Sequence, residues 1–162
     1  PLKIGKDLFI SSGENHGAAL LAVEKTAAGF FVRKRWVSQG PTSVLRNEWQ
    51  TSILVDGYLY GFDNVGGAGP ITHLTCVEAA TGKVAWQESR FGKGNAMAAD
   101  GKLFVSMMSG ELIVIKISPE KYIELGRQKI TRGTRQSPAL SDGVLILRDD
   151  ESIVAVDVKK GK

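Results

Sequence analysis

Cys76-Val-Glu-Ala-Ala-Thr81-Gly82-Lys-Val-Ala-Trp86 returns in part at the end of the chain as Ala155-Val-Asp157-Val-Lys-Lys-Gly161-Lys162. Upstream of each copy stands an Asp-Gly pair followed by an apolar run: Asp56-Gly57-Tyr-Leu59-Tyr60 and Asp142-Gly143-Val-Leu145-Ile146. Asp100-Gly101-Lys-Leu103-Phe104 lies between them, so successive turns are 44 and 42 residues apart. Asp-Gly between apolar runs signals a hairpin, because a type I′ turn needs positive φ at both central residues. Glycine adopts that conformation freely and aspartate tolerates it. A period of about 40 residues made only of short strands is that of a β-propeller blade.

Four copies align on this element, the first degenerate, with Ile4-Gly5-Lys6-Asp7-Leu8-Phe9 in place of the Asp-Gly turn. They divide the chain into blades at about 1–40, 50–90, 94–130 and 136–162, the last incomplete. Each reads as a four-stranded antiparallel sheet. The first strand precedes the turn (Ser52 to Val55, Ala96 to Ala99, Pro138 to Ser141). The second follows it (Tyr58 to Phe62, Lys102 to Met107, Val144 to Arg148). The third covers Leu20 to Glu24, Leu74 to Glu78, Leu112 to Ile117 and Ser152 to Asp157. The fourth covers Phe31 to Val37, Val84 to Glu88 and Tyr122 to Lys129. Leu112 to Ile117 is almost continuously apolar, as expected of a strand covered on both faces. Ser118-Pro119-Glu120 has the form of a helix start, but the apolar pattern beyond it is short and strand is preferred.

Composition agrees with an all-β chain. The 162 residues include 19 glycines and are 43% hydrophobic, enough for a packed core. No apolar run reaches the roughly 20 residues that span a bilayer. A single cysteine, Cys76, excludes an internal disulfide framework and a multi-cysteine metal site. The net charge of +4 is mild. Its densest spots, Arg33-Lys34-Arg35 and Lys159-Lys160-Gly161-Lys162, lack aromatics arranged to stack bases, so nucleic acid is not an expected partner.

Gly82 supplies the turn into the fourth strand, and Trp86 follows on that outermost strand, where its indole can lie between blades. Such burial is worth about 4–6 kcal/mol before entropy costs. Trp36 holds the comparable place in the first copy; the third copy has no tryptophan. The residues assigned to blade docking are therefore Trp36, Thr81, Gly82, Trp86, Asp157 and Gly161.

An Asp-Gly hairpin followed by Ala-x-Asp-x-x-Thr-Gly-x-x-x-Trp resembles the pyrroloquinoline-quinone-like (PQQ-like) propeller repeat. The match is fullest over residues 76–86, with Cys76 for alanine and Glu78 for aspartate. Residues 155–162 match at Ala155, Asp157 and Gly161, with Lys160 in place of threonine. The family includes quinoprotein alcohol dehydrogenases and a non-catalytic propeller lipoprotein of bacterial outer-membrane assembly. The resemblance implies a ring of eight blades, about four of them here, and a periplasmic or extracellular location. The remaining blades would come from a longer parent chain or from a second copy; the start at Pro1 and the stop inside a blade point the same way.

Quinoprotein dehydrogenases use a calcium ion, a carboxylate base and often an adjacent cysteine pair around the quinone. The cysteine pair is missing, and Asp149-Asp150-Glu151, the only acidic run, reads as a solvated hairpin turn. His16 and His73 are lone histidines; Cys76 reads as a small buried hydrophobe. The glycine-rich Asn64 to Pro70 lacks the Gly-Lys-Ser/Thr ending of a phosphate loop and reads as a flexible hairpin insertion. The expected function is a non-catalytic binding or scaffolding module with no metal and no cofactor. The alternative is a fragment of a PQQ-dependent alcohol or sugar dehydrogenase carrying PQQ and calcium. The crossings between blades, which rim the channel, read first as solvated connections; the alternative is that they meet a protein or small-molecule ligand. Their candidate residues are Arg46, Asn47, Trp49 and Gln50, then Asn95, then Arg135 and Gln136.

Overall fold

Strand pairing in the computed structural model, which describes residues 1–67 and 71–159, groups fifteen strands into four antiparallel sheets, with no helix among the described residues. Blade 1 is β1 (Leu2–Ile4), β2 (Asp7–Ser12), β3 (Gly17–Thr26) and β4 (Gly29–Gln39), in that order. Blade 2 is β5 (Ile53–Val55), β6 (Tyr58–Val65), β7 (Ile71–Glu78) and β8 (Val84–Glu88). Blade 3 is β9 (Gly94–Ala99), β10 (Lys102–Met107), β11 (Glu111–Lys116) and β12 (Glu124–Lys129). Blade 4 has three strands among the described residues: β13 (Ala139–Ser141), β14 (Val144–Arg148) and β15 (Ile153–Asp157). Blades 1 and 2 form one compact unit, which also takes in Pro119–Lys121; blades 3 and 4 form a second.

The turns carry the repeat. Asp56-Gly57, Asp100-Gly101 and Asp142-Gly143 have positive φ at both positions, the type I′ geometry of a two-residue hairpin. The degenerate copy turns differently: Gly5 has φ +59° and Lys6 does not join it, so glycine serves the first central position alone, as in a type II′ turn. The glycine carbonyl of each Asp-Gly turn is then capped by the residue just beyond the third strand. Ala79 N–H donates to Gly57, Ile117 N–H to Gly101 and Val158 N–H to Gly143, each at 2.9 Å.

A bulge recurs between the third and fourth strands. Cys76 faces Trp86 while Val77 faces Val84; Leu20 faces Trp36 while Leu21 faces Lys34; Val114 faces Gly126 while Ile115 faces Glu124. The extra residue (Ala85, Arg35 or Leu125) re-aims the next side chain. Trp36, Trp86 and Gly126 thus hold one structural position, and blade 3 fills it with glycine.

Each unit has its own core. In the first, Phe9 and Leu20 of blade 1 meet Leu59, Val77 and Ala79 of blade 2, with Leu45 of the connecting segment between them. In the second, Phe104 and Leu112 of blade 3 meet Leu145 and Leu147 of blade 4. The apolar run of β11 is buried on both faces at Leu112, Ile113 and Ile115. Residues 118–123 form neither helix nor strand, and β12 starts at Glu124 rather than Tyr122. Lys116 N–H instead donates to the Ile123 carbonyl at 2.9 Å, which brings the chain back after the bulge. Part of the glycine-rich stretch is also strand: Asn64 and Val65 complete β6, Asn64 is wholly buried, and Ala68 to Pro70 lie outside the described residues.

Candidate functional site

Trp36 shows how blade meets blade in the first unit. It packs on Phe9 of its own blade, ring centroids 6.0 Å apart, and its indole Nε1 donates to the Ala79 carbonyl of blade 2 at 2.9 Å. Gly82 is its seat: a Cβ built there would stand 2.8 Å from the indole carbons, and φ is +76°. Glycine is needed for both reasons. Trp86 is only half-buried rather than enclosed, with Tyr60 tilted against it at 6.0 Å. Pro119–Lys121, which follow β11 as Ala79–Gly82 follow β7, belong to this same unit. Thr81 is exposed and works locally: its hydroxyl donates to the Glu78 carboxylate and accepts from Lys83 N–H at 3.2 Å. Asp157 is exposed too, and its carboxylate accepts from Lys159 N–H at 2.9 Å. Neither is a docking surface, because a short polar side chain beside a turn satisfies the turn's own backbone first. Gly161 lies outside the described residues.

The crossing from blade 1 to blade 2 is not a solvated rim. Of its four candidate residues, Arg46, Asn47 and Gln50 are buried and Trp49, 39% exposed, reaches the surface. Arg46 holds Asp63 of β6 bidentately, Nε to Oδ1 at 2.6 Å and Nη2 to Oδ2 at 2.7 Å, and gives Nη1 to the Pro41 carbonyl at 2.7 Å. Its own N–H donates to Asp63 Oδ1 at 3.0 Å, and Asn64 Nδ2 donates to its carbonyl at 2.8 Å. Thr72 closes this network by donating to Asn64 Oδ1 at 2.9 Å. Asn47 accepts from the Ser52 hydroxyl at 2.8 Å and donates to the Phe62 carbonyl at 3.0 Å when both amide ends are paired. Leu45 threads through with φ +52° and no exposure. These residues pin the crossing to β6. Gln50 borders a cavity of about 60 Å³ together with Asn47 and Ser52, and its buried Nε2 has no hydrogen-bond partner among the described residues. Sequence reading missed Asp63, although a carboxylate inside the apolar run Leu59 to Phe62 onward was its visible sign.

In the second unit Asn95 is buried and donates Nδ2 to the Arg135 carbonyl at 2.7 Å. Arg135 and Gln136 are exposed and line a pocket of about 310 Å³ with Met108, Thr134 and Asp150. The structure therefore brings Asn95, Arg135 and Gln136 together, with only the last two open to solvent. Asp149 corrects the reading of a solvated turn. It is buried, accepting at Oδ1 from Glu151 N–H, Ser152 N–H and the Ser152 hydroxyl, and at Oδ2 from Arg132 N–H at 2.9 Å. The backbone donors of Arg132, Glu151 and Ser152 hold its pKa well below the usual carboxylate range. It ties the β14–β15 hairpin to the crossing at Arg132.

His73 is used internally, its Nδ1 accepting from Arg90 N–H at 3.0 Å, while His16 is exposed. Cys76 is fully buried, and that burial pushes its thiol up to about 11. Among the described residues no three His, Cys, Asp or Glu side chains converge as metal ligands. Nor is there a helix long and apolar enough to cross a membrane.

A sequence-family profile described as outer membrane protein assembly factor BamB matches residues 71–162, more than half of the chain. The chain belongs to this BamB family of PQQ-like repeats. Among curated proteins, none matches this sequence. Among solved structures, BamB from Moraxella catarrhalis aligns with TM-score 0.63 at 14% identity, over 96% of this chain and 42% of that one. A europium-containing methanol dehydrogenase aligns with TM-score 0.52 at 14% identity, over 81% of this chain and 24% of that one. Likeness at this identity establishes the β-propeller fold alone. The chain spans less than half the length of either protein. Asp63, a buried carboxylate beside the first crossing, is held by Arg46, and Cys76 has no second cysteine beside it.

Proposed function

We propose that this BamB-family chain is a non-catalytic scaffold whose blades present binding surfaces to a protein partner. One observation carries the reading: Arg46 of the first crossing and Asp63 of β6 are locked to each other in a buried bidentate pair. A carboxylate that accepts protons must stand free to meet its substrate, and a guanidinium with three internal bonds does not reach out to a ligand. These groups hold the blades rather than perform chemistry.

Two kinds of surface remain for partners. One is apolar: Ile10 and Val37 beside a pocket of about 160 Å³ on blade 1, and Ile146 and Ile153 beside one of about 180 Å³ on blade 4. Further blades, of a longer chain or of a second copy, are the proposed occupants. The other is the pocket at Arg135 and Gln136, which suits a polar or acidic segment of a protein or a small ligand. The family description, outer membrane protein assembly, supports a periplasmic location.

The test is to mix the purified protein with pyrroloquinoline quinone and calcium, desalt it, and read quinone absorbance and dye-linked alcohol oxidation. Neither signal is expected; stoichiometric retention of the quinone with alcohol oxidation would sink the scaffold reading.

A further inference from the structure

The hairpin joining β3 and β4 outgrows its blade. β2 pairs with β3 only as far as Asp7 opposite Ala22, whereas β3 and β4 stay paired out to Thr26 opposite Gly29. Residues 23–32 are therefore a two-stranded ribbon without a third strand. At roughly 3.3 Å per residue it projects about 13 Å. Its end, Thr26-Ala-Ala-Gly-Phe30-Phe31-Val32, carries no charge and is exposed throughout, with Phe30 at 73%, Phe31 at 55% and Val32 at 53%. Phe30 and Phe31 are consecutive in β4, so they point to opposite faces of the ribbon. Lys25 stands directly opposite Phe30, while Arg33, Lys34 and Arg35 lie at and below the base, Arg35 being paired with Asp7. The one acid of the ribbon, Glu24, stands opposite Phe31 and is neutralised by Arg33. Lys25 and Lys34 form no ion pair among the described residues.

We propose that this ribbon is a membrane-surface anchor that inserts Phe30, Phe31 and its turn into an anionic phospholipid leaflet. A strand or groove of another protein covers one face of a sheet and would leave Phe30 or Phe31 in water. A lipid interface surrounds the tip and covers both. Interfacial segments bury apolar groups some 5–10 Å deep, within the projection of the ribbon; Lys25 beside Phe30 can extend its stem back to the lipid phosphates, and Lys34 below the ribbon meets them from behind. No spanning segment is involved, and the inference does not depend on the scaffold reading.

The experiment is flotation of the protein with vesicles of phosphatidylcholine alone or phosphatidylcholine mixed with phosphatidylglycerol, at low and high salt. Expected is binding to the mixed vesicles that weakens with salt and falls at least about tenfold with Phe30→Ser and Phe31→Ser combined. Lys25→Glu with Lys34→Glu should lower it as well. Because the ribbon lies outside the core, both double variants should melt with the parent, which separates lost anchoring from lost folding. Absence of parent binding to the mixed vesicles overturns the proposal. So does equal binding by the Phe30→Ser, Phe31→Ser protein, or equal binding to neutral vesicles. Self-association that disappears with Phe30→Ser and Phe31→Ser, in place of lipid binding, overturns it too.

Discussion

Trp36 and Gly82 are one interaction divided between two blades, and their coupling is measurable. Trp36→Ala removes a half-buried indole, its contact with Phe9 and its bond to Ala79, and should cost about 2–4 kcal/mol in denaturant titration. Gly82→Ala should cost about 2–3 kcal/mol from the positive φ and the collision with the indole. Once Trp36 is alanine the collision is gone, so Gly82→Ala should then cost only about 1 kcal/mol; strict additivity would contradict the seat described for the indole. Trp86→Ala, half-buried against Tyr60, belongs at the lower end, about 2 kcal/mol. The Arg46–Asp63 pair is more demanding. Asp63→Asn strands a guanidinium that is only 4% exposed and should cost about 3–5 kcal/mol. Cys76, its thiol held protonated by burial, should resist alkylation at pH 8 in the native protein and react once denatured. Rapid native labelling would place it nearer the surface.

Among the elements, the β14–β15 hairpin is set by one carboxylate. Asp149 is charged in the folded protein at pH values where it would be protonated in the unfolded chain. A depressed folded pKa contributes stability that is present above the unfolded value, near 4, and is lost as pH falls toward the folded one. Asp149→Asn should therefore lower the urea midpoint at pH 7, and the gap from the parent should close progressively below about pH 4. A gap that stays constant with pH would assign the effect to packing instead of charge. The Asp-Gly hairpins predict a parallel result: Gly57→Ala, at φ +82° with open space around its Cβ position, should cost about 1 kcal/mol through backbone conformation alone.

For the whole molecule, the blade faces decide behaviour in solution. Ile153 at 74%, Leu125 at 52% and Ile10 at 40% exposure are apolar strand residues in water. Apolar faces and free strand edges associate. Light scattering should find a dimer or larger species in place of a 17.5 kDa monomer. A monodisperse monomer with one cooperative melt would refute the proposal that further blades cover these faces.

Periodicity and turn chemistry alone determined the Asp-Gly hairpins. Side chains alternate along a strand and a type I′ turn needs its own residues, so Asp56-Gly57, Asp100-Gly101 and Asp142-Gly143 announce β5–β6, β9–β10 and β13–β14 whatever lies around them. What distant residues do to one another is not written in such local patterns. Arg46 and Asn47 read as solvated or offered to a ligand, yet β6 passes close enough for Asp63 and Phe62 to claim them. Asp149 read as solvated, yet Arg132 from the preceding crossing covers it. Gly82 read as a turn and a blade-docking residue, and the tertiary structure supplied its partner by making it the floor beneath Trp36. Burial and pairing depend on what the chain brings alongside a residue, and for the crossings that was settled by tertiary structure.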